Sequence, residues 1–83
     1  MRTFARRIKK YTTMFIRCTD EDSIYVIDTS KNEVYEIIDG SACKMNTDAD
    51  SFMRFNPYLE SIEETETAPA EIKEYRASHN ASK

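Results

Sequence analysis

Two six-residue runs, Ser23-Ile24-Tyr25-Val26-Ile27-Asp28 and Glu33-Val34-Tyr35-Glu36-Ile37-Ile38, flank the polar stretch Thr29-Ser30-Lys31-Asn32, and nothing else constrains the fold as strongly. Both runs are rich in β-branched and aromatic residues, and the stretch between them consists of turn formers, so the pair reads as a β-hairpin. Loop length sets the register. A loop of two or four residues puts Ile24 and Val26 on one face with Tyr35 and Ile37, and Tyr25 and Ile27 on the other with Val34, Glu36 and Ile38. A loop of three or five residues exchanges the partners. In either register both faces are substantially apolar, whereas a sheet with one bare side alternates apolar with polar. The second face therefore needs a cover, from the C-terminal helices or from another chain.

Strand patterning extends upstream of the hairpin. Met14, Ile16 and Cys18 fall on one face of residues 12–19, with Thr13, Phe15, Arg17 and Thr19 on the other. Asp20-Glu21-Asp22 reads as a polar turn, Asp39-Gly40-Ser41 as another, and Ala42-Cys43-Lys44-Met45 as a short fourth strand. Thr47-Asp48-Ala49-Asp50 resembles a helix start, with the Thr47 hydroxyl as cap and acids in the first turn, leading into a short helix that ends near Phe55. Asn56 precedes Pro57 and is pushed out of the α region, so a second helix is expected with Asn56 as its cap and Pro57 at its first position. That helix would carry Tyr58, Leu59 and Ile62 inward and Glu60, Glu63 and Glu64 outward. Pro69 opens a last helical segment with Ile72 and Tyr75 as its apolar contacts.

The expected fold is α+β: a small antiparallel sheet of three to four strands (residues 12–46), followed by short helices packed on one face. It forms one domain over 12–77, after a basic N-terminal arm or short helix (1–11) and before a disordered tail (78–83). Met14, Ile24, Val26 and Ile37 are the expected core contributors. An 83-residue chain buries only about 60–65% of the surface its unfolded form exposes, so a homodimer would relieve a thin core.

Charge is sorted along the chain. Residues 1–17 hold six basic side chains (Arg2, Arg6, Arg7, Lys9, Lys10, Arg17) and no acid, while residues 18–83 hold all fifteen acids against six bases. The basic cluster stands beside Phe4, Tyr11 and Phe15, the pairing of phosphate contacts with stacking rings used by single-stranded nucleic-acid binders. A net charge of −3 argues against that use. The arm could instead pair with the acidic C-terminal half of its own chain or of a neighbour. In that half Asp48, Asp50, Glu60, Glu63, Glu64 and Glu66 could imitate a row of phosphates and engage a basic groove on a partner, or could simply form a solvated face. Tyr25 and Tyr35 are a further candidate surface, with one expected to pack and the other to be exposed.

No catalytic arrangement is legible. The single histidine, His79, falls in the expected tail, and one glycine cannot build a phosphate-cradling loop. Cys18 and Cys43 stand outside any Cys-x-x-Cys spacing and are expected to be free thiols, buried as small apolar side chains, with no metal and no cofactor bound. There is no apolar run of about 18 residues and no signal-peptide core, which leads us to expect a cytoplasmic protein with no membrane contact. In size, charge polarity and lack of a catalytic site the chain resembles the small accessory and host-takeover proteins of bacteriophages and mobile elements, a likeness of composition that rests on no motif. The expected function is non-enzymatic: a small protein-binding module, accessory or inhibitory, engaging a larger nucleic-acid-handling protein through the acidic half and the hairpin. The alternatives are a nucleic-acid binder using the arm and a structural subunit of a homo-oligomer.

Overall fold

The computed structural model describes residues 14–80, with the backbone alone for Asn80. Chain order is β1 (Phe15–Asp20), β2 (Ser23–Asp28), β3 (Glu33–Ile38), β4 (Ser41–Asp48), α1 (Ala49–Phe55), β5 (Glu60–Thr65) and α2 (Ala70–Asn80). The first four strands form an antiparallel meander and β5 returns to β1, giving the sheet order β4-β3-β2-β1-β5. The fold is α+β, as the sequence indicates. The hairpin takes the even-loop register: Ile24 faces Ile37, Val26 faces Tyr35 and Ile27 faces Val34. Its four-residue loop, 29–32, is shaped at one end by Asn32 in the left-handed region (φ 55°), which asparagine tolerates.

Both faces of the sheet are covered by the chain's own helices. On one face Ile16, Cys18, Ile27 and Val34 pack with Ala49, Phe52 and Met53 of α1 and with Leu59. On the other, Phe15, Val26 and Tyr35 pack beneath Ile72 of α2, with Ile37, Ala42 and Tyr75 at the margin. The helices are thus split between the two faces rather than gathered on one. Neither run of the hairpin has a polar side to leave in water, and each of the two helices has only enough apolar surface to cover one face. Of the expected core, Met14 and Val26 are buried and Ile37 is half-buried. Ile24 is 39% exposed, at the open end of the β2–β3 hairpin and next to the β1–β2 turn.

The sheet has five strands, not three or four, because the segment after Pro57 is a strand and not a helix. Asn56 caps the end of α1 by donating its backbone N–H to the Met53 carbonyl, and Pro57 and Tyr58 turn the chain. β1 explains the choice at Glu60–Thr65. Its Ile16 and Cys18 are completely buried, so its backbone groups on the side away from β2 cannot turn to water. Residues 60–65 supply the missing ladder. The Tyr58, Leu59 and Ile62 spacing suits a helix, but only Leu59 is buried; Tyr58 and Ile62 are exposed. At the C-terminal end α2 runs on through Ser78, His79 and Asn80, which therefore belong to a helix and not to a tail.

Candidate protein-interaction surface

β5 is an edge strand, hydrogen-bonded to β1 and to no other strand among the described residues. Its residues and the turn after it hold four of the eight side chains expected to meet a partner. Glu60, Glu63 and Glu66 are exposed and Glu64 is half-buried. The three exposed large apolar residues with the greatest exposure lie immediately before or within the strand: Phe55 (77%), Tyr58 (81%) and Ile62 (56%). Ile62 owes its position to a bulge: Arg17 faces Glu63 and Cys18 faces Ser61, which leaves Ile62 out of the pairing. Bulges re-aim side chains in this way.

Not every expected contact residue belongs to this surface. Asp48 and Asp50 lie where β4 passes into α1, and β4 is the opposite edge of the sheet from β5. Four strand spacings, about 19 Å, separate the two edges. Asp48, not Thr47, caps α1: its Oδ1 accepts from the Ser51 N–H at 2.7 Å, and that bond holds its carboxyl below the ordinary range. Asn32 of the hairpin loop assists from outside the helix, its Oδ1 accepting from the N–H groups of Ala49 (3.0 Å) and Asp50 (3.3 Å). Tyr35 is 2% exposed and cannot meet a partner; its hydroxyl donates to Glu33 at 2.7 Å, and its ring meets Tyr75 edge-on at 5.2 Å. Tyr25 is half-buried against Phe52, ring centroids 4.8 Å apart. Both hairpin tyrosines are therefore packing residues, placed by register on opposite faces.

Of the basic cluster, Arg2, Arg6, Arg7, Lys9 and Lys10 lie outside the described residues. Arg17 is a central-sheet residue turned toward α2, where its guanidinium grips Glu71 with two hydrogen bonds (2.9 and 3.3 Å) and lies 4.0 Å from Glu63. The Arg17 hydrogen bonds hold the Glu71 carboxyl below its usual range, so this cation is committed internally. A second clamp has no counterpart in the sequence reading. Asp28, fully buried, accepts at Oδ1 from the Ser30 N–H, the Ser30 hydroxyl and the Lys31 N–H, and its Oδ2 takes the Arg76 guanidinium. Arg76 also lies 3.6 Å from Glu33 and over the Phe15 ring at 5.6 Å. The sequence marks 29–32 as a polar loop, but nothing local points to Arg76, 48 residues away.

Reactive chemistry has few supports among the described residues. Burial pushes the Cys18 thiol up to about 12, with Asp20 adding to the rise, whereas Cys43 is exposed on β4 rather than buried as expected. No group of three His, Cys, Asp or Glu side chains converges there. Open clefts of about 280 and 190 Å³ flank α2 and share Tyr75 and His79; both are smaller than the roughly 300 Å³ at which small-molecule sites begin. His79 is held in the helix, its ring stacked on Tyr75 at 3.9 Å. No described helix is long and apolar enough to cross a membrane. No protein-family model, curated protein or solved structure matches the chain.

Proposed function

We propose that this chain is a non-enzymatic protein-binding module, accessory or inhibitory to a larger cytoplasmic protein that handles nucleic acid, in the manner of small bacteriophage and mobile-element proteins. The acidic run Glu60, Glu63, Glu64 and Glu66 is its contact surface. One observation carries the reading: four glutamates within seven residues, without an intervening base, lie on the edge strand β5 (Glu60, Glu63, Glu64) and just past its end (Glu66), and the segment 55–62 adds three exposed large apolar side chains. Acidic groups in that setting complement a phosphate-binding groove and steer the encounter, and the apolar residues supply area once contact is made. The hairpin has a structural part in this reading, since its tyrosines are spent on packing.

The test is kinetic. With a partner captured from extract of the source organism and then purified, the triple substitution of Glu60, Glu63 and Glu64 by Lys is expected to slow association about tenfold and to remove most of its salt dependence. Neutralising Arg6, Arg7, Lys9 and Lys10 is expected to change the rate little. The reverse ranking, together with salt-dependent retention of labelled DNA or RNA, would replace this reading with nucleic-acid binding through the arm.

A further inference from the structure

Among the described residues β5 pairs on one side only, and its outer side is chemically distinctive among their exposed features. A strand that pairs on one side only directs about half of its N–H and C=O groups away from the sheet, and such an edge is a template for another strand. Natural edges are commonly guarded by lysine or proline; β5 has neither and carries glutamates instead. Glutamates guard selectively. A second copy docking edge to edge would bring the exposed Glu60 and Glu63 of the two chains close together, and opposed like charges destabilise a cross-strand pair. An acidic strand from any other protein meets the same repulsion. A strand bearing Lys or Arg meets attraction at each of these positions. The bulge leaves Ile62 out of the β1 pairing and 56% exposed, an apolar side chain on the strand itself.

We infer that the free edge of β5 takes up an extended, basic segment of the partner protein as a sixth strand. This rests on the protein-binding reading and specifies how the contact is made: backbone hydrogen bonds supply affinity, and alternate basic side chains supply selectivity. The added strand would lie antiparallel or parallel to a six-residue edge, a length of about 20 Å.

The probe is a short peptide alternating Lys and Val, titrated into the full chain while backbone amide resonances and their hydrogen exchange are followed. Matched peptides have alternating Glu and Val, or have alternate backbone amides of the Lys-Val peptide methylated. The expected result is saturable binding of the Lys-Val peptide with new exchange protection over 60–65. Its affinity should fall about tenfold or more on methylation, in the Glu-Val peptide, and in the exposed-residue variant Glu60→Lys/Glu63→Lys. Equal binding of the methylated peptide overturns the added strand and leaves the acidic contact surface standing. Protection appearing on Ser41–Asp48, or no binding of any peptide, overturns it as well, with the association-rate ranking above still deciding the broader reading. If neutralising Arg6, Arg7, Lys9 and Lys10 strengthens peptide binding about tenfold, the chain's own basic segment is the occupant and the inference fails. If the 60–65 amides are protected before peptide is added and the protein sediments as a dimer, the occupant is a second copy, and it fails likewise.

Discussion

Asp28 ends β2 with its carboxylate completely buried, and both of its oxygens are occupied, one by the hairpin turn and one by Arg76 of α2. A buried carboxylate is tolerated only when its hydrogen bonds and its charge are both met. Replacing it with alanine orphans the Ser30 and Lys31 N–H groups and leaves Glu33 as the one carboxylate near Arg76 among the described residues. Asp28→Ala is expected to cost about 2–4 kcal/mol in urea unfolding at neutral pH, with Asp28→Asn falling between it and the parent because the turn bonds survive. A loss below about 0.5 kcal/mol would show the clamp to be idle. Tyr35 belongs to the same neighbourhood. Burial, reinforced by its hydrogen bond to Glu33, pushes its phenol up to about 12, so it remains a donor over the whole range in which the protein is handled.

Among elements, α2 depends most on polar fastening. Only Ile72 is fully buried along its described length, and Arg17–Glu71 and Arg76–Asp28 pin it to β1 and β2. Hydrogen bonds from Arg17 lower the Glu71 carboxyl from its ordinary value of 4.5, so its contribution to stability is complete above that value and is lost as pH falls through the lower, folded-state value. Glu71→Gln is therefore expected to show a shallower decline of stability with acidification below about pH 4.5. A decline parallel to the parent's would remove the pair from the acid-sensitive groups. The elements also mark how far the sequence could be read. The β2–β3 hairpin was legible as a pair of strands apolar on both sides, because residues 24–27 and 34–38 flank a polar loop; its register stayed open between even and odd loop lengths until the four-residue loop fixed it. α1 was legible in extent, through the turn formers and acids of 47–50 and the break at Asn56-Pro57, but not in its caps: Asp48 takes the role read for Thr47, and Asn56 ends this helix rather than starting another. β5 was not legible, because Leu59 and Ile62 have helical spacing and the deciding factor, the unpaired side of a buried β1, lies over 40 residues away. The glutamates of the candidate surface were visible as a cluster; that they lie on a strand edge, and that Asp48 and Asp50 lie on the far edge, follow from this long-range pairing alone.

For the whole molecule, coverage of both sheet faces alters the case for self-association. The apolar pattern of the hairpin called for a cover, and α1 and α2 of the same chain provide it. Sedimentation equilibrium at micromolar concentration is accordingly expected to return the mass of a single chain; a mass of twice that value would mean that an edge or the Phe55–Ile62 surface joins two copies. Charge is also redistributed by folding. Arg17, the last of the basic cluster, is drawn under α2 by Glu71 and also lies 4.0 Å from Glu63, so its charge is spent within the fold.

Phe15 and Thr65 are partners across one rung of the β1–β5 ladder, so the chain enters and leaves the five-stranded sheet at a single corner. Tension applied between those two points would not shear the strands past one another, a motion that loads every rung at once. It would open them like a zipper, one rung at a time from that corner inward, and the strand released first would be β5.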